Sequence, residues 1–369
     1  MTHKTRRQFL SEAGLIAGGI VAEGLVTSAA PSIPDARKMK WRPTTAPTAT
    51  SRYDDIWFND EQSGWAVNSN GQILHTADGG GSWDQQLHDP PVYMRTVAFA
   101  SPDHGWVGTL TQGKVLFETF DSGTHWKAVN LPTNAPLGIC GMWPVDAETI
   151  YAAGTNRPEL PARMMKTTDG GRNWTCCEMQ KWADNVIDVF FMDRERGWVV
   201  GGRADERAGL ITKPKLRPVI LYTEDGGKTW LDQLANSRNS FPVGEWGWKI
   251  QFVNERLGFV SLENYDTGAI ISTCDAGKTW VRHTINDAQG NANIQGVGFL
   301  DENHGWVGGW GDRARKKRTS SETFDGGRTW RNANEIGQSI SRFRFFGSPV
   351  RVGYASGETI YKYSSIATR

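Results

Sequence analysis

Short apolar runs recur along this chain and never grow long. They include "TVAFA" at 96–100, "VIDVFFMD" at 186–193 and "GVGFLD" at 296–301. A glycine–aromatic segment follows each run. The copies read "SGWAV" at Trp65, "HGWVG" at Trp106, "TIYAAG" at Tyr151, "RGWVVG" at Trp198, "LGFVS" at Phe259, "HGWVGG" at Trp306 and "VGYASG" at Tyr354. Apolar runs this short, bounded by Gly, Asp, Ser and Thr, predict strands and tight turns.

The polar segments between them are themselves a repeat. Six copies of Thr-x-Asp-x-Gly-x-x-Trp end at Trp83, Trp126, Trp174, Trp230, Trp280 and Trp330, with steps of 43, 48, 56, 50 and 50 residues. Self-similarity at such a period marks a repeat architecture. The box predicts a hairpin. Its glycine supplies the left-handed backbone, its Asp accepts hydrogen bonds from the turn amides, and its Trp opens the next strand and packs on a neighbouring sheet. Asp78, Asp121, Asp169, Asp225, Asp275 and Asp325 are therefore read as structural residues, one per repeat.

Each unit holds four strands: an inner strand, the glycine–aromatic strand, a strand into the box and a strand beginning with Trp. Seven glycine–aromatic strands face six boxes, and the final unit ends at "ETIYKYSS" without a box. Trp41 lies one period, 42 residues, before Trp83. The N-terminal strand is thus expected to complete the last unit, which removes the open sheet edges. The prediction is an all-β, seven-bladed β-propeller of four-stranded antiparallel blades, spanning 38–366.

Composition sharpens this picture: 369 residues contain 17 Trp and 42 Gly, with a formal charge of only +1. Overall charge gives no reason to expect nucleic acid, so electrostatic arguments must be local. Arg6 and Arg7, followed by Phe9-Leu10 and an apolar run from Ala13 to Val26, read as a twin-arginine export signal over 1–30, with a linker at 31–37. This places the protein in a periplasm or thylakoid lumen, with the signal either cleaved near 29 or 30 or kept as an anchor. Cys140, Cys176, Cys177 and Cys274 lack zinc-site spacing; disulfides are permitted, but buried or free thiols are the preferred reading. No metal or other cofactor is expected.

The combination of "GWVVG", "DGGKTW" and seven blades resembles the photosystem II stability and assembly factor family, over about 37–365. That resemblance implies a lumenal or periplasm-facing scaffold without a catalytic site, which holds a newly made membrane subunit against a basic patch. The Asp box also occurs in sialidases and other glycosidases, and a fold alone does not decide function.

The boxes mark one face of the propeller as structural and direct attention to the opposite face. Three loops there carry cations: Arg157 and Arg163; Arg203, Arg207, Lys213, Lys215 and Arg217; and Arg313, Arg315, Lys316, Lys317 and Arg318. Such a patch would attract an acidic protein surface or anionic headgroups. The partner expected is a membrane-associated protein, bound by a monomer. Trp182, Asp184, Asn185, Trp246, Trp248, Lys249, 291–295 and Trp310 could line a sugar or peptide site, with core packing of the Trp residues the preferred reading. The alternative function is a carbohydrate-binding protein or glycoside hydrolase. Asp184, Glu245, Glu263 and Asp266 are its candidate carboxylates, but no spacing singles out a pair. His104 and His304 share one repeat position and are read as turn residues.

Overall fold

The computed structural model describes residues 39–204, 211–311 and 319–365. Seven four-stranded antiparallel sheets are arranged as a seven-bladed propeller. The innermost strands are Tyr53–Phe58, Met94–Phe99, Gly141–Pro144, Asn185–Phe191, Glu245–Phe252, Ile294–Phe299 and Arg342–Phe346, and they number blades 1 to 7. Strand order within blades 1 to 6 follows the chain. In blade 7 the outermost strand is Met39–Pro43, paired antiparallel with Ile360–Ser365, so that Trp41 lies opposite Tyr363. The ring closes as the period of Trp41 predicts. The proposed export signal and linker lie outside the described residues.

The box geometry repeats closely in all six copies. Thr223 Oγ1 donates to Asp225 Oδ1 at 2.8 Å and accepts the Gly227 N–H at 2.9 Å, while Asp225 Oδ1 accepts the Thr229 N–H at 3.0 Å. The box glycines sit at φ between 81 and 91°, and the preceding residue is also left-handed, including Ser122 and Ala276. Two successive left-handed residues are costly for most side chains, and the Thr–Asp pair holds the turn there. The sequence reading identified the Asp and Gly but missed the bridging role of the Thr.

The glycine–aromatic repeat proves to be the cement between blades. Trp65 of blade 1 stacks on Phe99 of blade 2 at 3.7 Å, Tyr151 on Phe191 at 3.5 Å, Phe259 on Phe299 at 3.6 Å and Tyr354 on Phe58 at 3.7 Å. The glycine before each aromatic makes room for the ring on its own blade's inner strand. A Cβ on Gly105 would lie 2.5 Å from the Phe99 ring. Blade 3 shows the rule from the other side: Ile150 replaces the glycine, and its cross-strand partner is Pro144 rather than Phe. Each box Trp then packs edge-on against this layer, as Trp126 does on Phe99 and Trp330 on Phe299.

Candidate functional site

Innermost strands line the central channel, and five of them are bulged: the register slips between Tyr53 and Asp55, Met94 and Thr96, Val186 and Asp188, Gly247 and Ile250, and Ile294 and Gly296. A bulge re-aims side chains and lets a strand carry polar groups at a place that regular pairing would not. Two layers of buried charge result.

The deeper layer joins blades 1, 4, 5 and 7. Arg342 donates from Nε to Asp55 at 2.9 Å and from both Nη atoms to Asp188 at 2.9 Å; Lys249 Nζ lies 3.7 Å from Asp188. Burial alone would raise the Asp55 carboxyl, but Arg342 and Lys249 outweigh it and hold it well below its ordinary value. Burial pulls the Lys249 ammonium down to about 8. Arg342, Lys249 and the buried Arg344 offset the two carboxylates, which is the condition for tolerating so many buried charges.

The second layer sits at the channel mouth on the face opposite the boxes. Arg52 donates to Asp54 at 3.0 Å and to Gln295, on non-neighbouring blade 6, so this contact crosses the channel. Arg95 Nη1 donates to the same Asp54 oxygen, which also accepts the Tyr93 hydroxyl at 3.2 Å. Arg52 lies over Trp310 at 4.1 Å and Arg95 over Trp248 at 5.0 Å. Toward the box face the channel is filled by Trp57 and Trp143, with Arg344 over both rings.

Beside the mouth lies a surface depression whose lining includes Tyr93, Thr111, Asn156, Arg157, Glu159 and Lys213. Of the cations expected on this face, Arg157 and Lys215 are exposed, and Lys213 lies over Trp246 and Trp248 at 5.7 Å. Arg163 bonds Glu178 at 2.8 Å, Arg203 the Lys181 carbonyl at 2.9 Å, and Arg217 the Phe241 carbonyl at 3.0 Å. Arg207, Arg313, Arg315, Lys316, Lys317 and Arg318 lie outside the described residues.

The candidate glycosidase carboxylates do not form an open pair. Glu245 is fully buried and accepts two N–H groups of Arg282, at 2.9 and 2.7 Å. Glu263 is buried beside the channel mouth, and desolvation pushes its carboxyl up. Asp184 accepts the Ala204 N–H at 2.8 Å. Trp246 and Trp248 are core residues at the channel mouth, whereas Trp182 and Trp310 are only half-buried. His104 and His304 do more than shape turns: each bonds a glutamate, Glu118 at 2.9 Å and Glu322 at 2.8 Å, and stacks under an exposed Phe, Phe120 or Phe324. Among the described residues no group of three or more His, Cys, Asp or Glu could hold a metal ion, and all four cysteines are free.

Sequence reasoning missed Arg52, Asp54 and Arg95 as a cluster. The signal was present in "SRYDDIWF" and "MRTVAF", which place charges inside innermost strands.

Solved structures of similar shape span several chemistries. YCF48 bound to D1 peptide superposes with a TM-score of 0.61 at 18% identity, covering 91% of this chain and 100% of that one. An ancestral GH74 enzyme gives 0.63 at 14% identity, covering 89% of this chain and 46% of the enzyme. These likenesses fix the fold alone. The family model described as "Photosynthesis system II assembly factor YCF48" matches residues 33–136. The photosystem II assembly lipoprotein Ycf48 of Synechococcus sp. (strain CC9902) is 26% identical over 353 residues, covering 89% of this chain and 88% of that protein. With its repeats and blade closure, this chain is similar to the photosystem II stability and assembly factors, by sequence along most of its length and by its Asp-box propeller architecture.

Proposed function

We propose that this chain is a non-catalytic scaffold on the outer side of a membrane, holding a membrane protein or complex through the propeller face opposite its Asp boxes. The carrying observation is the cationic ground around the channel mouth: Arg157 and Lys215 exposed, and Lys213 on the wall of the depression. Cations at the rim of a concave surface raise the encounter rate with an acidic partner and set its orientation. Relatives named as photosystem II assembly proteins make a photosystem II subunit the partner to test first. Twin-arginine export is part of the same reading, as is a monomeric state, and anionic headgroups near the partner would favour the same face.

The test is affinity capture from solubilised membranes with the full chain as bait. One specific membrane protein should be recovered. Reversing the charges at Arg157 and at 313–318 should reduce recovery at low salt, with a weaker effect at high salt. Undiminished recovery by the reversed variant would remove the basic face from the mechanism.

A further inference from the structure

Buried carboxylates in this protein are met by arginines. Asp54, Asp55, Asp188, Glu245 and Glu322 are all buried, and each has an arginine nitrogen at 3.0 Å or less. Asp287 is different. It lies in the link from blade 5 to blade 6 and is only 7% exposed. Among the described residues its oxygens meet neutral donors alone: the Ser321 hydroxyl at 2.6 Å and the Asn291 N–H at 3.2 Å. The arginines on either side of the link are engaged elsewhere, Arg282 with Glu245 and Arg328 with the Asp325 carbonyl. A carboxylate can accept about four hydrogen bonds, so about half of that capacity is open. A buried charge without a counter-charge is costly.

A second observation points the same way. Asn291 Nδ2 donates to the Thr319 carbonyl at 2.8 Å and to Ser321 Oγ at 3.1 Å, the same hydroxyl that bonds Asp287. A carbonyl only accepts, so Thr319 fixes which way the amide faces. Asn291 Oδ1 is then left without a partner, although the residue is only 1% exposed. Asn293 repeats the arrangement, with Nδ2 on the Gly311 carbonyl at 2.8 Å and Oδ1 buried and unpartnered. Orphan buried acceptors call for an explanation. Here they share one short link with the uncompensated carboxylate, and what answers a surplus of oxygen acceptors is a cation.

We propose that this link binds a calcium ion, with the Asp287 carboxylate and Asn291 Oδ1 as protein ligands and water completing the shell. Carboxylate and amide oxygens are hard ligands, which suit calcium and not the soft metals that thiolates select. Ala288 and Gly290, between the two ligands, are exposed, so the ion can enter from solvent and keep part of its water. One carboxylate sets a modest affinity, about 0.1–1 mM, the range of extracellular calcium modules. The site departs from the expectation that no metal binds, and it does not depend on the partner-binding reading. Its place is nevertheless pointed: Asn293 and Asn291 hold the carbonyls of Gly311 and Thr319, the residues on either side of the cationic stretch 312–318.

The experiment takes the full chain, freed of metal by dialysis against EDTA, and titrates it by calorimetry with calcium chloride and separately with magnesium chloride. Calcium should bind saturably with a Kd of about 0.1–1 mM, and magnesium at least about tenfold more weakly, because a neutral amide oxygen displaces its tightly held water poorly. The midpoint of thermal unfolding should rise with calcium concentration and return with EDTA. Asp287→Asn keeps the shape and removes the charge, so it should weaken calcium by about tenfold or more, with near-ultraviolet circular dichroism confirming the fold. Asp325→Asn, in a box whose carboxylate is already filled by donors from Thr323 and Thr329, should leave the affinity unchanged. Amide shifts that calcium induces in NMR spectra of the unaltered chain should centre on 285–293 and 319–321, which locates the site even if the Asp287 variant does not fold. No saturable calcium binding, equal or tighter magnesium, full binding by folded D287N, loss of binding in D325N, or shifts centred elsewhere would each overturn the proposal.

Discussion

Arg342 in blade 7 reaches across the channel to Asp188 in blade 4, 154 residues earlier, and makes two parallel contacts of 2.9 Å with its carboxylate. The same guanidinium holds Asp55 of blade 1 at 2.9 Å. One side chain therefore ties the first, middle and last blades together at the axis. Arg342→Met would leave two buried carboxylates with only Lys249 and Arg344 to offset them. The expected cost is about 3–5 kcal/mol, the usual result of removing one partner from a buried ion pair, measured as a fall in the denaturation midpoint in urea.

The glycine–aromatic repeat predicts a steric coupling. Gly105→Ala would press a methyl group against Phe99 and cost about 1–3 kcal/mol by overpacking. In a Phe99→Leu background the same change should cost less. A double-mutant cycle measures the coupling, and strictly additive effects would refute the account.

Trp41 buries its ring against Trp306 at 5.5 Å and Tyr363 at 5.2 Å, in the strand that closes blade 7. Trp41→Ala should cost about 3–5 kcal/mol, as for other buried aromatic truncations. Removing residues through Pro43 would expose the edge of Ile360–Ser365, so self-association should appear in light scattering.

The boxes predict an acid limit. Hydrogen bonds from the residue four positions on, such as Ser82 to Asp78 and Thr329 to Asp325, lower these carboxyls from 3.8 to about 2. A carboxyl whose folded value is depressed stabilises fully above its unfolded value, and that contribution is lost as pH falls toward the folded one. Stability should therefore hold from neutral pH down to about 4 and then fall steadily toward 2. Asp78→Asn and Asp325→Asn variants should show a shallower fall, read from thermal unfolding across that range.

Much of this was legible in the chain because it is written locally and repeatedly. The box needs only eight consecutive residues, and six copies in register fix blade number, strand order and the closing role of Trp41. The inner Phe and the glycine opposite it are likewise close in sequence, as Phe99 and Gly105 are. The axis was not legible. Arg342 finds Asp55 and Asp188 only because bulged innermost strands from separate blades converge, at separations of 287 and 154 residues. The partners of the expected basic residues were not legible for the same reason: Arg163, Arg203 and Arg217 bond to nearby acceptors that sequence position does not reveal. Repetition let the sequence set the blades and the ring. Only tertiary structure decided which buried charges meet inside it, because a charge in a low-dielectric channel takes its state from whichever partners the closed ring brings within reach.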